Sequence, residues 1–156
     1  MGNAAVLLKK QGVEVAGSDA EVYPPMSDVL SEAGIELFEG FEEEALSNWS
    51  PDRVVVGNAV SRGNAQVEWL LRERSVPFVC LPQLIGEELI GSRPSVVVAG
   101  THGKTTTTSL VACLLDAGGI DPTVINGGII NRYGSNARIG SGDWMVVEAD
   151  ESDGSF

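Results

Sequence analysis

The chain has 156 residues, 43% hydrophobic and 21% charged, which suits one or two small domains with their own cores. A net charge of −12 excludes the basic footprint of nucleic-acid binding and disfavours attraction to anionic membranes. The sequence has neither an apolar run near the ~20 residues of a membrane helix nor a signal-peptide pattern. Cys80 and Cys113 stand in apolar surroundings and predict buried thiols in a reducing, cytoplasmic compartment.

The first part of the chain alternates helical and strand patterns. We predict helices over residues 2–11, 27–33, 65–74 and 84–89, and strands over 13–16, 35–38, 53–56 and 77–81. In the helix 65–74, Val67, Leu70 and Leu71 form the expected apolar face. Such alternation with short loops favours a parallel sheet covered on both faces, which binds ligands at the carboxyl ends of its strands.

Polar residues follow two of these strands. Gly17-Ser18-Asp19 ends the first, and Gly57-Asn58 ends the third. Ordinary strand-to-helix turns and ligand contacts both explain such residues. The chain also opens on a helix, whereas a doubly wound domain normally opens on a strand and a glycine-rich turn. Either the first strand is naturally absent or the chain is a truncated piece.

A linker, Gly91-Ser92-Arg93-Pro94, interrupts the alternation and separates two predicted domains, residues 1–92 and 93–156. The second is also α/β. We predict a strand over 95–99, a helix over 105–117 closed by Gly118-Gly119, and strands over 122–125 and 143–147.

A glycine-rich loop joins the strand 95–99 to the helix 105–117. It reads Gly100-Thr101-His102-Gly103-Lys104-Thr105-Thr106. The glycines let the backbone turn tightly, and the free N–H groups and the helix dipole attract an anion. Lys104 would contact the β- and γ-phosphates and Thr105 would offer its hydroxyl to Mg²⁺. The loop therefore predicts ATP binding.

This loop is a shortened variant of the usual G-x-x-x-x-G-K-[ST] pattern, because Val98 stands where the first glycine would fall. Four threonines, 105–108, open the helix although threonine is a mediocre helix former. Hydroxyls with a function would explain them, and so would a simple cap. His102, the sole histidine, either contacts a phosphate or fills a loop position.

An acidic run, Glu148-Ala149-Asp150-Glu151-Ser152-Asp153, follows the strand 143–147. A carboxylate at the tip of a strand beside the phosphate-loop strand can hold the nucleotide's Mg²⁺. Glu148 is the first choice as ligand, with Asp150 and Glu151 behind it. The alternative is a solvated acidic turn.

Together these residues resemble the Mur ligases, the ATP-dependent amide-forming enzymes of peptidoglycan precursor synthesis. Asn126-Gly127-Gly128, Asn136-Ala137-Arg138 and the acidic run are similar to the member that adds L-alanine to UDP-N-acetylmuramate. Segments 17–27 and 57–64 are more similar to the member that recycles murein tripeptide onto the same UDP-sugar. A divergent lineage or a chimeric join near the phosphate loop would explain this difference.

The resemblance implies a Rossmann-like UDP-sugar-binding domain over 1–92, followed by the start of a P-loop ATPase domain over 93–156, with both ends of the family's chain missing. It implies phosphorylation of the UDP-N-acetylmuramate carboxylate by ATP and attack by L-alanine, or by murein tripeptide. An inactive fragment that only binds nucleotide is the competing hypothesis. Lys104 and Glu148 are the implied catalytic residues, and Thr105 and Glu148 the metal ligands. The implied UDP-sugar contacts are Ser18, Asp19, Asn58, Asn126 and Arg138.

Overall fold

The structure, a computed structural model, describes residues 1–149. The chain divides into two compact units, Met1–Leu84 and Ile85–Phe156. The division falls before the predicted boundary at residues 92 and 93. Both units combine helices with parallel strands, so the predicted α/β class is confirmed.

The first unit alternates helices and strands as predicted, but its first strand begins at Ala16 rather than at Val13, and residues 43–49 form a helix that the sequence analysis does not predict. Its elements are α1 (Gly2–Lys10), β1 (Ala16–Asp19), α2 (Met26–Glu32), β2 (Glu36–Glu39), α3 (Glu43–Trp49), β3 (Val54–Val56), α4 (Ala65–Glu73), β4 (Phe78–Cys80) and α5 (Leu81–Leu84). Strand β1 pairs in parallel with β2, and β3 pairs in parallel with β4. The predicted sheet is thus present as two separate ladders, since no strand of the described chain hydrogen-bonds to both pairs.

Packing of α1 against α2 builds an apolar cluster in the first unit. Val6, Leu30 and Ile35 are its buried members. On α4, Leu70 is buried but Leu71 is 50% exposed, so the predicted apolar face is wrong at Leu71. The buried position beside Leu70 belongs instead to the polar Gln66, which has hydrogen-bond partners of its own.

The second unit begins with a π-helical segment, Ile85–Ile90, which covers most of the predicted helix 84–89. It continues with β5 (Ser95–Val98), α6 (Lys104–Ala117), β6 (Thr123–Ile130), β7 (Ser135–Arg138) and β8 (Met145–Glu148). The sheet order is β5-β8-β6-β7, in which β7 alone is antiparallel to its neighbour. Because β5 and β8 are parallel neighbours with Val98 opposite Glu148, the phosphate loop and Glu148 lie at the same edge.

Helix α6 packs on this sheet through a narrow stripe. Thr108 and Ala112, one turn apart, are buried, and Ala112 joins Val124, Ile130 and Val146 in an apolar cluster. Gly118 and Gly119 end the helix as predicted. This packing places the first turn of α6 near β6 and β8.

The two cysteines and the lengths of the helices can also be compared with the sequence predictions. Cys80 and Cys113 are free thiols, but both are partly exposed rather than buried. Within residues 1–149, none of the helices is long and apolar enough to cross a bilayer.

Candidate functional site

The glycine-rich loop has the local structure that its sequence predicts. It follows β5 and leads directly into α6, with Gly103 as the residue that caps the helix. Gly100 and Gly103 have φ angles of +144° and +75°. Residues with a Cβ atom rarely adopt such values, so both positions favour glycine. The first amide groups of a helix have no partner within it, so this end of α6 presents donors and a positive dipole end to an anion.

Glu148 links the loop to the sheet. Its Oε1 accepts a hydrogen bond of 2.9 Å from Thr105 Oγ1, and its Oε2 accepts one of 2.6 Å from Gly127 N. The two predicted metal ligands, Thr105 and Glu148, are therefore brought together. Asp150 and Glu151, also predicted as carboxylates of this site, lie outside the described residues.

Close approach explains both glycines of Asn126-Gly127-Gly128. A Cβ added to Gly127 would lie 2.9 Å from Glu148 Oε2, and one added to Gly128 would lie 2.9 Å from Thr105 Cγ2. Real Cβ atoms essentially never come so near. Glycine at both positions thus lets β6 pass against Thr105 and Glu148.

Beneath these groups lies a second set of hydrogen bonds that sequence reasoning did not identify. Ser109 Oγ donates to Thr105 O at 2.7 Å, one helical turn back. Asn126 Nδ2 donates to Ser109 Oγ at 3.1 Å and to Gly128 O at 2.8 Å. The spacing of Ser109, four residues after Thr105, is the sequence signal that would have pointed to it.

The oxygen donors at this edge fit magnesium. Mg²⁺ takes hard oxygen ligands and usually keeps waters and phosphate oxygens beside one or two protein groups. The Thr105 hydroxyl and the Glu148 carboxylate, 2.9 Å apart, would supply these one or two protein ligands. Among residues 1–149 no group of three or more His, Cys, Asp or Glu side chains could hold a metal by itself. The donor set therefore suits a metal that arrives with phosphates.

A cavity of about 360 Å³ opens beside this cluster. It runs between α6, at Thr105, Ser109 and Cys113, and the chain segment 129–132. His102, in the loop, is exposed, and its Nδ1 lies 3.3 Å from Thr101 Oγ1. No geometry here assigns His102 a proton-transfer role.

Arg138 does not join the site. Its guanidinium pairs with Asp121, lies 3.7 Å from Asp116 Oδ1 and stacks 4.6 Å from the Tyr133 ring centroid. Asp116 is in the last turn of α6, about 18 Å along the helix from Lys104 at 1.5 Å per residue. Arg138 lies opposite Val124, near the start of β6, because β7 is antiparallel to β6. Its predicted contact with the UDP-sugar stays a prediction.

Asn126, also predicted to contact the UDP-sugar, is only 1% exposed. Its side chain is held inside the second unit by Ser109 and Gly128. Direct contact with a sugar would require the amide to leave these bonds.

The remaining predicted sugar contacts lie in the first unit, at carboxyl ends of its strands. Ser18 and Asp19 are the last two residues of β1, and Asn58 follows β3. Ser18 Oγ accepts a 2.9 Å hydrogen bond from Gln66 Nε2, which also donates to Glu42 O at 3.1 Å. Gln66 thus ties the start of α4 to the end of β1 and to the turn before α3.

Comparison with protein families gives a direct match. Residues 1–92 match the model described as "Mur ligase family, catalytic domain". The UDP-N-acetylmuramate–L-alanine ligases of Rhizorhabdus wittichii and Methylobacterium nodulans are each 53% identical to this chain. Both alignments cover all of this chain and 32% of the relative, so the chain spans about a third of the length of these curated relatives.

Two solved structures of UDP-N-acetylmuramate ligases are also similar to this chain. UDP-N-acetylmuramate:L-alanyl-gamma-D-glutamyl-meso-diaminopimelate ligase from Neisseria meningitides superposes with a TM-score of 0.91 at 38% identity, over 97% of this chain and 49% of that one. UDP-N-acetylmuramate-alanine ligase from Thermotoga maritima gives 0.83 at 32% identity, over 97% and 34%. With a family match over more than half its residues, a phosphate loop after β5 and Glu148 beside it, this chain belongs to the Mur ligase family.

Proposed function

We propose that this chain binds ATP and UDP-N-acetylmuramate as part of a ligase, and that the complete protein joins L-alanine to UDP-N-acetylmuramate in the cytoplasm. One observation carries the proposal: the 2.9 Å hydrogen bond between Thr105 Oγ1 and Glu148 Oε1. It unites a hydroxyl of the phosphate loop with a carboxylate at the tip of the neighbouring strand, the pair that ATP-dependent phosphoryl transfer needs.

Phosphate binding falls to the loop Gly100–Thr106. Its backbone amides and the first turn of α6 would hold the phosphate oxygens, because their orphan N–H groups point out of the helix end. Lys104, the first residue of α6, would set its ammonium against the β- and γ-phosphates. Such local donors are needed on a chain whose net charge is −12.

Thr105 and Glu148 would hold Mg²⁺. The metal would neutralise negative charge on the phosphoryl group that is transferred. The Thr105 hydroxyl can offer a lone pair to the metal while its hydrogen stays with Glu148 Oε1. Gly127 N fixes the other oxygen of that carboxylate, so the ligand is oriented before the nucleotide binds.

The reaction proceeds in two displacements. A carboxylate oxygen of UDP-N-acetylmuramate takes the γ-phosphoryl group of ATP, ADP leaves, and an acyl phosphate forms. The amino group of L-alanine then attacks the acyl carbon, the carbon–oxygen bond to phosphate breaks, and the amine loses a proton. What the described residues contribute is positioning and charge stabilisation, which dominate catalysis of phosphoryl transfer.

In the first unit, Ser18, Asp19 and Asn58 are the proposed contacts to the UDP-sugar. They stand at the carboxyl ends of β1 and β3, the ends at which α/β sheets bind their ligands. The Ser18 hydroxyl is oriented by Gln66, so its position is fixed without a ligand.

Phosphate release on mixing the protein with ATP, UDP-N-acetylmuramate and L-alanine tests the proposal. We expect release that requires all three compounds, and about 100-fold or more slower turnover for Lys104→Ala, which loses a charge aimed at the transition state. The assay uses the protein as encoded, with any sequence beyond these 156 residues.

Lys10→Ala is the matched control, since Lys10 is an exposed lysine in the last turn of α1. It should leave turnover unchanged. Equal rates for Lys104→Ala and the unaltered protein would show that the loop is not the site of phosphoryl transfer, and absence of release would favour a nucleotide-binding module.

A further inference from the structure

Glu148 belongs to a closed ring of hydrogen bonds. On one side, Thr105 Oγ1 and Gly127 N donate to its two oxygens. On the other side, the backbones of Thr105 and Gly128 are joined through the side chains of Asn126 and Ser109. Each step of the ring is a bond of 2.6 to 3.1 Å.

The segment 126–129 lies in the part of β6 where the regular pairing of the sheet is interrupted. The register of β6 with β7 is interrupted between Ile125 and Ile130. Its register with β8 covers Thr123 to Ile125. Gly127 N, which orients Glu148, lies inside this interruption, where an irregular strand re-aims its groups.

Asn126 donates to both of its neighbours in the ring, and Glu148 accepts from both of its own. The Asn126 amide has two N–H groups, and Gly128 O and Ser109 Oγ accept from it. The Ser109 hydroxyl has one hydrogen, which goes to Thr105 O. An aspartate at 126 would present lone pairs to both acceptors and would break two links at nearly constant size.

We propose that Asn126 and Ser109 are positioning residues that hold segment 126–129 against the first turn of α6, and so preset Thr105 and Glu148 for Mg²⁺. The proposal rests on the function proposed above. It replaces direct sugar contact as the role of Asn126, because that side chain is 1% exposed and its amide is engaged. Outer groups that orient metal ligands typically change metal affinity 10- to 100-fold when removed.

The test measures Mn²⁺ binding in place of Mg²⁺ by electron paramagnetic resonance, with a non-hydrolysable ATP analogue and the protein as encoded. Ser109→Ala and Asn126→Asp should each raise the Kd for Mn²⁺ about 10-fold. Ser109→Thr should restore the affinity, since it keeps the hydroxyl and Ser109 borders a cavity of about 360 Å³ with room for a methyl group.

Ser47→Ala is the matched control. Ser47 also donates from a helix to a backbone carbonyl, Glu44 O at 3.3 Å, but in the first unit. Its Kd should stay unchanged. Thermal unfolding of every variant shows which are folded, and the Ser109 pair decides the question if Asn126→Asp does not fold.

Two results would overturn the positioning role while leaving the proposed function intact: Ser109→Ala and Asn126→Asp binding Mn²⁺ like the unaltered protein, or Ser109→Thr binding as weakly as Ser109→Ala. If the unaltered protein with the ATP analogue binds no Mn²⁺, the proposed function fails and the positioning role fails with it.

Discussion

Glu148 accepts one hydrogen bond from a hydroxyl and one from a backbone amide, and the amide bond is the shorter at 2.6 Å. Bonds to an ionised carboxylate are about twice as strong as neutral ones, so Gly127 N is a firm anchor for this side chain. The anchor needs a residue without a Cβ, because the carboxylate occupies the space where that atom would be. Residue 127 therefore controls where the proposed metal ligand points.

Gly127→Ala should move the carboxylate without unfolding the protein. The added Cβ would lie 2.9 Å from Glu148 Oε2, and the end of a glutamate side chain can rotate away where a backbone atom could not. We expect turnover of ATP to fall about 10-fold or more, with a raised Mg²⁺ requirement and a nearly unchanged unfolding temperature.

Gly86→Ala is the control, because a Cβ there meets no atom within 4 Å. Its turnover should match that of the unaltered protein. Normal turnover in Gly127→Ala would mean that the orientation of Glu148 seen here is not the catalytic one.

Among single residues, those that belong to a sequence motif were predictable, and those whose contacts depend on the fold were not. Thr105 and Glu148 were both chosen as metal ligands from the sequence, and they are hydrogen-bonded. Ser109 was missed because its spacing from Thr105 suggests a local hydrogen bond but does not reveal Asn126 as its second partner. The surroundings of Arg138 were not predictable either, since they depend on β7 being antiparallel to β6.

Among the elements, the turn between α6 and β6 depends on one side chain. Asp121 adopts a φ of +47° and accepts hydrogen bonds of 2.7 Å from both the backbone N–H and the hydroxyl of Ser141. It also pairs with Arg138. These contacts, the Ser141 amide first, hold the pKa of Asp121 below its ordinary value of 3.8. The carboxylate thus joins the start of β6, the end of β7 and the loop before β8.

A lowered pKa gives Asp121 a defined pH dependence. Its contribution to the free energy of unfolding is fully present above pH 3.8 and is lost as the pH falls through the lower folded-state value. Asp121→Asn, which tolerates the positive φ, should lower the unfolding temperature at about pH 7, and this difference should shrink below about pH 3.8. Thermal unfolding across that range measures both effects.

Ser141→Ala keeps the backbone donor and removes only the hydroxyl, so it should cause a smaller loss with the same pH trend. A difference between Asp121→Asn and the unaltered protein that stays constant down to about pH 2.5 would contradict the assigned cause.

Helices and strands with a strong hydrophobic pattern were predictable from the sequence. Those that form only because of contacts with the rest of the fold were not. Helix α3 has no buried residue, so its sequence has no apolar stripe from which a helix could be predicted. Strand β7 reads Ser-Asn-Ala-Arg, without a β-branched residue, and exists because it pairs with β6. Strand β1 was predicted at 13–16 from Val13 and Val15, but Val13 is 47% exposed and pairing with β2 sets the strand at Ala16–Asp19.

At the scale of the whole molecule, the identity of the amine substrate distinguishes the two kinds of ligase that this chain is similar to. The first half resembles the tripeptide-recycling member, and the Neisseria structure of that kind superposes with a TM-score of 0.91. The L-alanine ligases, however, are 53% identical over both halves at once. The Neisseria ligase is 38% identical over 97% of the chain, so the higher identity of the L-alanine ligases is the reason for proposing L-alanine.

Amine competition resolves this choice. With ATP and UDP-N-acetylmuramate fixed, we expect kcat/KM for L-alanine to exceed that for the murein tripeptide by about 10⁴ or more. A site built for one amine leaves its polar groups unpaired, or clashes, with the other. Lys104→Ala should slow turnover about 100-fold or more with either amine, because Lys104 acts on the phosphoryl transfer that precedes amine attack. Turnover with tripeptide alone would instead place this protein with the recycling ligases, and the phosphate loop, Thr105 and Glu148 would serve that reaction unchanged.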